Sequence, residues 1–295
     1  MALSYWEASL ATGASRAGVC FTSVLMLGRQ TSLLDCPALN QISRLYGADL
    51  SALEKETWAE AFFRRLGAIR VESLDYCDYE GAGLTHDMNL PWPEGQPPEQ
   101  FDVVFDGGTL EHVFNLPQAL LNAMSLVKPG GCLLSVTPAD GWLGHGFHQL
   151  QPELFFRFLI PQNGFRLHGV WLAEFDVAPG KAKLFRLRDP AVTGCRPQVP
   201  GKRPLVLLVC AEKMTDLKAL PEWPGQSNYT SMWQEPGKSV TASATAKSLR
   251  QRLLGLLPDR LLKPLRRWLR RCMHARLAKN SYTQVDHINF QVPLA

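Results

Sequence analysis

The residues of this sequence with the means to do chemistry stand just after strand-like apolar runs. They are Asp75, His86-Asp87-Met88-Asn89, Asp106-Gly-Gly-Thr109 with Glu111 and His112 behind it, and the two histidines of Gly144-His-Gly-Phe-His148. An aspartate that closes a strand can accept both hydroxyls of a ribose, and Asp75 is so placed; the other reading is a cap for the turn at Asp78. Asp87 can accept from an adenine amino group or close an Asx-turn into Asn89-Leu-Pro91. His112, His145 and His148 are the candidate general bases. His112 is expected in the first turn of a helix, where the positive dipole end lowers its pKa and keeps the ring neutral. The alternative is a histidine that ties the helix start to the next loop. The glycines on both sides of His145 suit a close backbone approach or a lid, and equally a turn with exposed imidazoles. Glu111 can hydrogen-bond an acceptor, although the dipole alone favours a glutamate in a first helical turn. His86 reads as a core or pocket-wall residue. No HxH or HxxxH pairing marks a metal site, and none is expected.

Such side chains need a frame, and the sequence alternates strand and helix signals. The run VLML after Ser23, ending at Gly28, suits a strand buried on both faces. Residues 1–22 carry few signals. Pro37 opens a short helix toward Tyr46, and Ser51 with Glu54 spells a capping box ahead of a longer helix reaching Leu66, stopped by Gly67. Further strands are expected at 68–75, 83–86, 101–106 and 132–137, with a helix at about 116–127 and another at 152–161. Strands at 165–175 and 204–211, with no helix between them, predict an antiparallel pair closing one edge. Repeated βα units argue for a mostly parallel sheet with helices on both faces. In such sheets ligands bind beyond the carboxyl ends of the strands, where the residues above lie.

Composition sets the class. With 46% hydrophobic and 20% charged residues the chain is of ordinary globular type. No run reaches the roughly 18 to 20 apolar residues of a membrane span. The apolar stretch at 17–27 lacks the basic flank and cleavage site of a signal peptide. Seven scattered cysteines with no CxxC predict a reduced, cytoplasmic protein without structural zinc. Charge is unevenly spread: residues 247–279 hold eleven Lys or Arg against one acid, leaving the rest of the chain at −6 against +4 overall. The expected division is a catalytic-type domain at 1–215, a Pro/Gly/Ser/Thr-rich linker at 216–246 and a basic amphipathic helical arm and tail at 247–295. An anionic membrane surface or a partner subunit is the expected contact of the segment from Lys247 to Lys279, which would make the protein peripherally membrane-associated in the first case. Nucleic acid ranks below both, because the catalytic-type part is acidic and no aromatic stacking platform stands out.

The stretch FDVVFDGGTLEHVFN at 101–115, followed by a helix and KPGG, resembles class I S-adenosylmethionine-dependent methyltransferases, particularly the small-molecule type with Leu-Glu-His after the fourth strand. The resemblance spans residues 23–211 and is most specific within 72–165. It implies an α/β, Rossmann-like, seven-stranded mostly parallel sheet of order 3-2-1-4-5-7-6 with helices on both faces. It also implies S-adenosyl-L-methionine lying over the ends of strands one to four. By that resemblance Asp75 binds the ribose, Asp87 and Met88 flank the adenine, and Asp106, Gly107 and Gly108 line the methionine end.

The departure is the first motif. Where the family has an acidic residue and then GxGxG, this chain has Met26 and then Gly28, Arg29, Gln30 and Thr31. Adenosylmethionine has no pyrophosphate and does not demand a phosphate cradle, so cofactor binding at Gly28, Arg29 and Gln30 is retained as the expectation, with Arg29 pairing the cofactor's carboxylate. The long connection to the second strand leaves room for an extra helix that rebuilds the wall. Methyl transfer to an oxygen or nitrogen of a small-molecule or glycan-type acceptor is the expected activity. The alternative is a non-catalytic protein that kept the fold for binding or scaffolding.

Overall fold

The computed structural model describes residues 2–93, 98–216, 223–227, 229–230 and 280–290. The basic segment 247–279, with its expected membrane or subunit contact, lies outside the described residues.

The order of elements is β1 (Ala2–Leu3), α1 (Tyr5–Arg16), β2 (Ser23–Leu27), β3 (Thr31–Ser32), α2 (Cys36–Tyr46), α3 (Glu60–Arg65), β4 (Arg70–Asp75), β5 (Leu84–Thr85), β6 (Phe101–Gly107), α4 (Leu116–Ser125) and β7 (Val127–Pro138). Then come α5 (Pro152–Phe158), β8 (Phe165–Glu174), β9 (Leu184–Leu187), α6 (Pro190–Thr193), β10 (Leu205–Lys213) and β11 (Tyr282–Val285). Nine strands form one sheet in the order β11-β9-β8-β10-β7-β6-β2-β4-β5. Strands β5, β4, β2, β6 and β7 are parallel, and β10 enters antiparallel between β7 and β8. Counted along the chain, β2, β4, β5, β6, β7, β8 and β10 are the seven expected strands, and they lie in the expected order 3-2-1-4-5-7-6. The sheet is wider than expected by β9 and β11 at the antiparallel edge.

The sheet separates two cores. Val24 and Met26 of β2 point to one face with Leu10 of α1, Leu39 and Ile42 of α2, and Phe62 and Phe63 of α3. Leu25 and Leu27 point to the other, with Leu120 and Ala123 of α4 and Phe155 and Phe158 of α5. Successive strand residues face opposite ways, so a strand covered on both sides must be apolar throughout. That is why Met26, at the position where the family carries an acid, is a core residue with no exposed surface.

Three local departures have clear causes. Residues 1–22 contain α1, whose start is a capping box: the Ser4 backbone N–H donates to Glu7 Oε2 at 3.1 Å, and the Ser4 hydroxyl donates to the same oxygen. The box expected at Ser51 and Glu54 does not form, because the Ser51 hydroxyl donates to Asp49 Oδ1 at 2.8 Å. Only a 3₁₀ turn follows at Ser51–Leu53, and α3 begins at Glu60 because residues 57–59 run alongside the loop after β2 instead. Finally, β11 comes from the stretch expected to be tail; Ile288 beyond it is buried and its N–H donates to the Tyr46 hydroxyl at 3.1 Å.

Candidate functional site

The carboxyl ends of β4, β2, β6 and β7 form one edge, and β2 and β6 flank the point where connections diverge to either side. The loop after β2 is the part rebuilt. Gly28 turns with φ +72 and donates its N–H to the Leu74 carbonyl at 2.7 Å. Residues 57–59 then hold the next stretch from outside: Ala59 N–H donates to the Gln30 carbonyl at 3.0 Å, and Ser32 N–H to the Thr57 carbonyl at 2.8 Å. From within, the Thr109 hydroxyl donates to the Leu27 carbonyl. Backbone pairing thus fixes a loop that the family shapes with glycines.

Arg29 and Gln30 sit in contrasting surroundings. Arg29 is well partnered: its Nε pairs with Glu60 at 2.8 Å, its Nη1 donates to the Glu80 carbonyl at 2.8 Å, and its guanidinium lies 4.1 Å from the centre of the Trp58 ring. Nε and Nη1 are thus engaged within the protein, which ties the loop to α3 and to the stretch after β4. Gln30 is fully buried, and neither its Oε1 nor its Nε2 has a hydrogen-bond partner. Its amide lies on Gly107, where any Cβ would overlap it. A buried primary amide left unsatisfied on both atoms costs several kcal/mol, about 1–3 for each group.

The aspartates divide. Asp75 ends β4 half-buried, its Oδ1 accepting from the Tyr76 N–H at 2.7 Å, and no hydrogen bond to Asp78 holds it as a turn cap. Asp87 forms the Asx-turn: its Oδ1 accepts from the Asn89 N–H at 2.9 Å and the Asn89 side-chain amide at 2.8 Å, which hold its carboxyl below the usual range. Met88 beside it is buried and its carbonyl accepts from Asn122. Asp106 points inward. It accepts from Ser135 Oγ at 2.6 Å, Thr109 N–H at 2.9 Å and Leu110 N–H at 3.3 Å, and so builds the following turn. Burial raises its pKa against those hydrogen bonds. Gly108, with φ +98, makes the turn that puts Glu111 behind it.

Glu111 is the functional candidate that the sequence least favoured. Residues Leu110–His112 are a 3₁₀ turn and α4 starts only at Leu116, so neither Glu111 nor His112 sits in a first α-helical turn. The Glu111 side chain is 1% exposed and neither carboxylate oxygen has a hydrogen-bond partner. Burial, and then the charge of Asp106, push its pKa up to about 8. Glu7, buried at the start of α1 and raised by burial, adds a third acid to this field. The His112 and His145 rings lie beside it: His145 Nε2 is 3.7 Å and His112 Nε2 4.0 Å from Glu111 Oε1, and the two ring centres are 5.2 Å apart. His112 is lowered by burial and by His145, not by a helix dipole.

The loop after β7 brings His145 there. The N–H groups of Phe147 and His148 both donate to the Glu111 carbonyl, at 2.9 and 3.1 Å. Gly146 allows this closeness, since a Cβ on it would stand 2.9 Å from that carbonyl oxygen. His148 is not part of the group; its Nε2 lies 3.3 Å from the Phe114 carbonyl. His86, partly buried, stacks on Trp92 at 3.9 Å, and its Nε2 lies 3.0 Å from the Leu90 carbonyl. Against the expectation of no metal-type grouping, Glu111, His112 and His145 bring their ligand atoms within 4.8 Å of one another.

No protein-family model matches the sequence, and no curated protein sequence matches it. Solved structures do match in fold. One is an S-adenosylmethionine-dependent methyltransferase from Mesorhizobium loti, at 17% identity over 68% of this chain and 96% of that one, with a TM-score of 0.36. Another is the trans-methyltransferase CalH in complex with SAH, at 14% identity over 71% and 57% with a TM-score of 0.35. A third is a branched-chain polyamine synthase from Thermus thermophilus, at 15% identity over 72% and 59% with a TM-score of 0.33. Overlaps this low carry no argument about activity. It is the strand order and the parallel core that give this chain the Rossmann-like fold of class I S-adenosylmethionine-dependent methyltransferases.

Proposed function

We propose that this chain is an S-adenosylmethionine-dependent methyltransferase acting on an oxygen or nitrogen of a small-molecule or glycan-type acceptor. The observation that carries the reading is the Gln30 amide, buried and unsatisfied beside the switch point. Along the sheet edge it stands between Asp75 on β4 and the Glu111–His112–His145 group beyond β6 and β7. Buried polar groups in folded proteins are nearly always hydrogen-bonded, so an orphaned amide is a place that a ligand or an ordered water completes. An amino-acid head group fits this amide, with an ammonium to donate to Oε1 and a carboxylate to accept from Nε2.

When bound, the cofactor supplies a methyl group already activated by its sulfonium. The chain then has to orient it, exclude water and deal with the acceptor's proton. Asp75 offers a free carboxylate oxygen to ribose hydroxyls, and Met88 offers an apolar wall. Gln30 holds the methionyl end in place of the family's glycine backbone. On the acceptor side His112, kept neutral by burial and by His145, has a lone pair to receive a proton.

A second reading has its own support. The Gln30 amide covers Gly107 and Arg29 ties the loop to Glu80, so the same observations describe a closed loop in a protein that binds without catalysing. Calorimetry with S-adenosylmethionine and S-adenosylhomocysteine separates the two. Micromolar binding of both is expected; no heat from either at millimolar concentration would overturn the methyltransferase reading.

A further inference from the structure

We propose that Glu111, His112 and His145 hold a divalent transition-metal ion, with coordination positions left open on the side of the two histidines. The distances carry the argument. Both imidazoles converge on the same carboxylate oxygen, at 3.7 and 4.0 Å, too far for a hydrogen bond. Two ligand atoms that share a tetrahedral ion, each bonded at about 2.0–2.2 Å, stand about 3.4 Å apart. Small ring movements therefore convert the grouping into a coordination sphere. The means for them are present: His145 lies between Gly144, which has φ +82 and open space around it, and Gly146.

The second observation is the carboxylate itself. Its side chain is 1% exposed, neither oxygen is partnered, and Oε1 faces the two histidines. A buried carboxyl group with neither oxygen hydrogen-bonded to another residue is a costly arrangement that apolar packing would avoid, and an ion at Oε1 supplies both a partner and a countercharge. Histidine and carboxylate ligands suit zinc and its first-row neighbours rather than calcium or magnesium, which take oxygen ligands. The side chains of His112 and His145 are 45% and 43% exposed, so the open positions face solvent, where water or an acceptor oxygen can enter. The ion site stands on these three side chains and does not rest on the methyl-transfer reading. Should that reading also hold, the ion would acidify an acceptor hydroxyl, the task otherwise left to a free imidazole.

The test uses the full chain, stripped with a chelator and titrated with cobalt(II) alone, with zinc(II) calorimetry beside it. One ion per chain is expected, with visible d–d absorption and no thiolate charge-transfer band. His145→Ala, on an exposed loop, and Glu111→Gln should each weaken binding by at least about 100-fold, given that loss of mere supporting groups costs 10–100-fold. His148→Ala, whose ring faces the Phe114 carbonyl, should bind as the unmodified chain does. No cobalt spectrum from a chain that circular dichroism shows folded would overturn the proposal. So would a thiolate band, or equal binding by His145→Ala and His148→Ala. Failure of S-adenosylmethionine to bind a chain that takes up cobalt through His145 would sink only the methyl-transfer reading.

Discussion

Replacing Gln30 by methionine tests whether the rebuilt loop is a cofactor site or a plug. Methionine has nearly the length and volume of glutamine, so it can lie on Gly107 without opening a cavity, and the loop's backbone bonds to Ala59 and Thr57 are untouched. What changes is that two buried, unpartnered polar atoms disappear. Each costs about 1–3 kcal/mol to bury unsatisfied, and imperfect fit of the new side chain offsets about 1 kcal/mol. The free protein should therefore gain about 2 kcal/mol, read as a higher urea midpoint at unchanged slope. The same change should weaken S-adenosylmethionine binding by at least tenfold, since two charged-group hydrogen bonds to the cofactor's head are lost. Higher stability with lower affinity is the signature of a group held for a ligand. A destabilised variant would mean that the amide is satisfied in the fold, and a stabilised one with unchanged affinity would mean that Gln30 never meets the cofactor.

Three further outcomes follow from the same geometry. Asp75→Ala should weaken S-adenosylmethionine binding by about 2 kcal/mol through loss of a charged hydrogen bond, measured by calorimetry; unchanged affinity would make Asp75 a turn residue only. Asp106→Ala should destabilise the fold by about 3 kcal/mol or more in urea, because Ser135 Oγ and two loop N–H groups lose their acceptor, and a loss below about 1 kcal/mol would contradict its structural role. Burial pushes Glu212 up, but hydrogen bonds from Arg166 and His168, each at 2.7 Å, outweigh it and hold its carboxyl below the usual range. A depressed carboxyl stabilises above its unfolded pKa of about 4.3, and that contribution is lost as pH falls through the folded value. Glu212→Gln should thus destabilise at pH 7 and progressively less in acid, and equal destabilisation in urea at pH 7 and pH 3 would refute the sign.

The parallel core was legible because a strand covered on both faces has to be apolar throughout, which leaves a signal as plain as VLML. Helix α1 was not, for the reverse reason. Ser9, Thr12 and Gly13 are buried along with its apolar residues, so no amphipathic stripe forms. Gly13 is small because a Cβ there would stand 3.2 Å from the Tyr46 ring and 3.5 Å from the Ile288 carbonyl, a closeness set by the distant C-terminal segment. Its one local signal was Ser4-Tyr-Trp-Glu7, the same capping pattern that misled at Ser51, where Asp49 competes for the hydroxyl. Spacing also left Asp87 open between a ligand contact and an Asx-turn, and the resemblance that implies a ligand role for Asp106 says nothing of the turn this carboxylate builds. An aspartate at a strand end serves a ligand or its own turn equally well, and only the orientation of the carboxylate distinguishes them.

Glu111 shows why the acceptor side was hidden. In a first helical turn a glutamate has a sufficient electrostatic reason to exist, so its sequence position argued for nothing more. The helix starts at Leu116 as expected, but Leu110–His112 is a separate 3₁₀ turn ahead of it, and the 145–148 loop folds back to place two N–H groups on the Glu111 carbonyl. That contact brings His145 beside the carboxylate, from a part of the chain that no local spacing links to residue 111. Gly146 is the hinge of the argument. A methyl group there would push against the Glu111 carbonyl at 2.9 Å and against backbone that cannot yield without moving the 3₁₀ turn. Gly146→Ala should therefore lift the loop, expose Glu111 and separate His145 from it, while leaving the cores on either side of the sheet intact. The expected result is a fold that melts within a few degrees of the unmodified chain, yet binds cobalt as weakly as His145→Ala does. Full cobalt affinity in Gly146→Ala would show that the loop does not assemble the group.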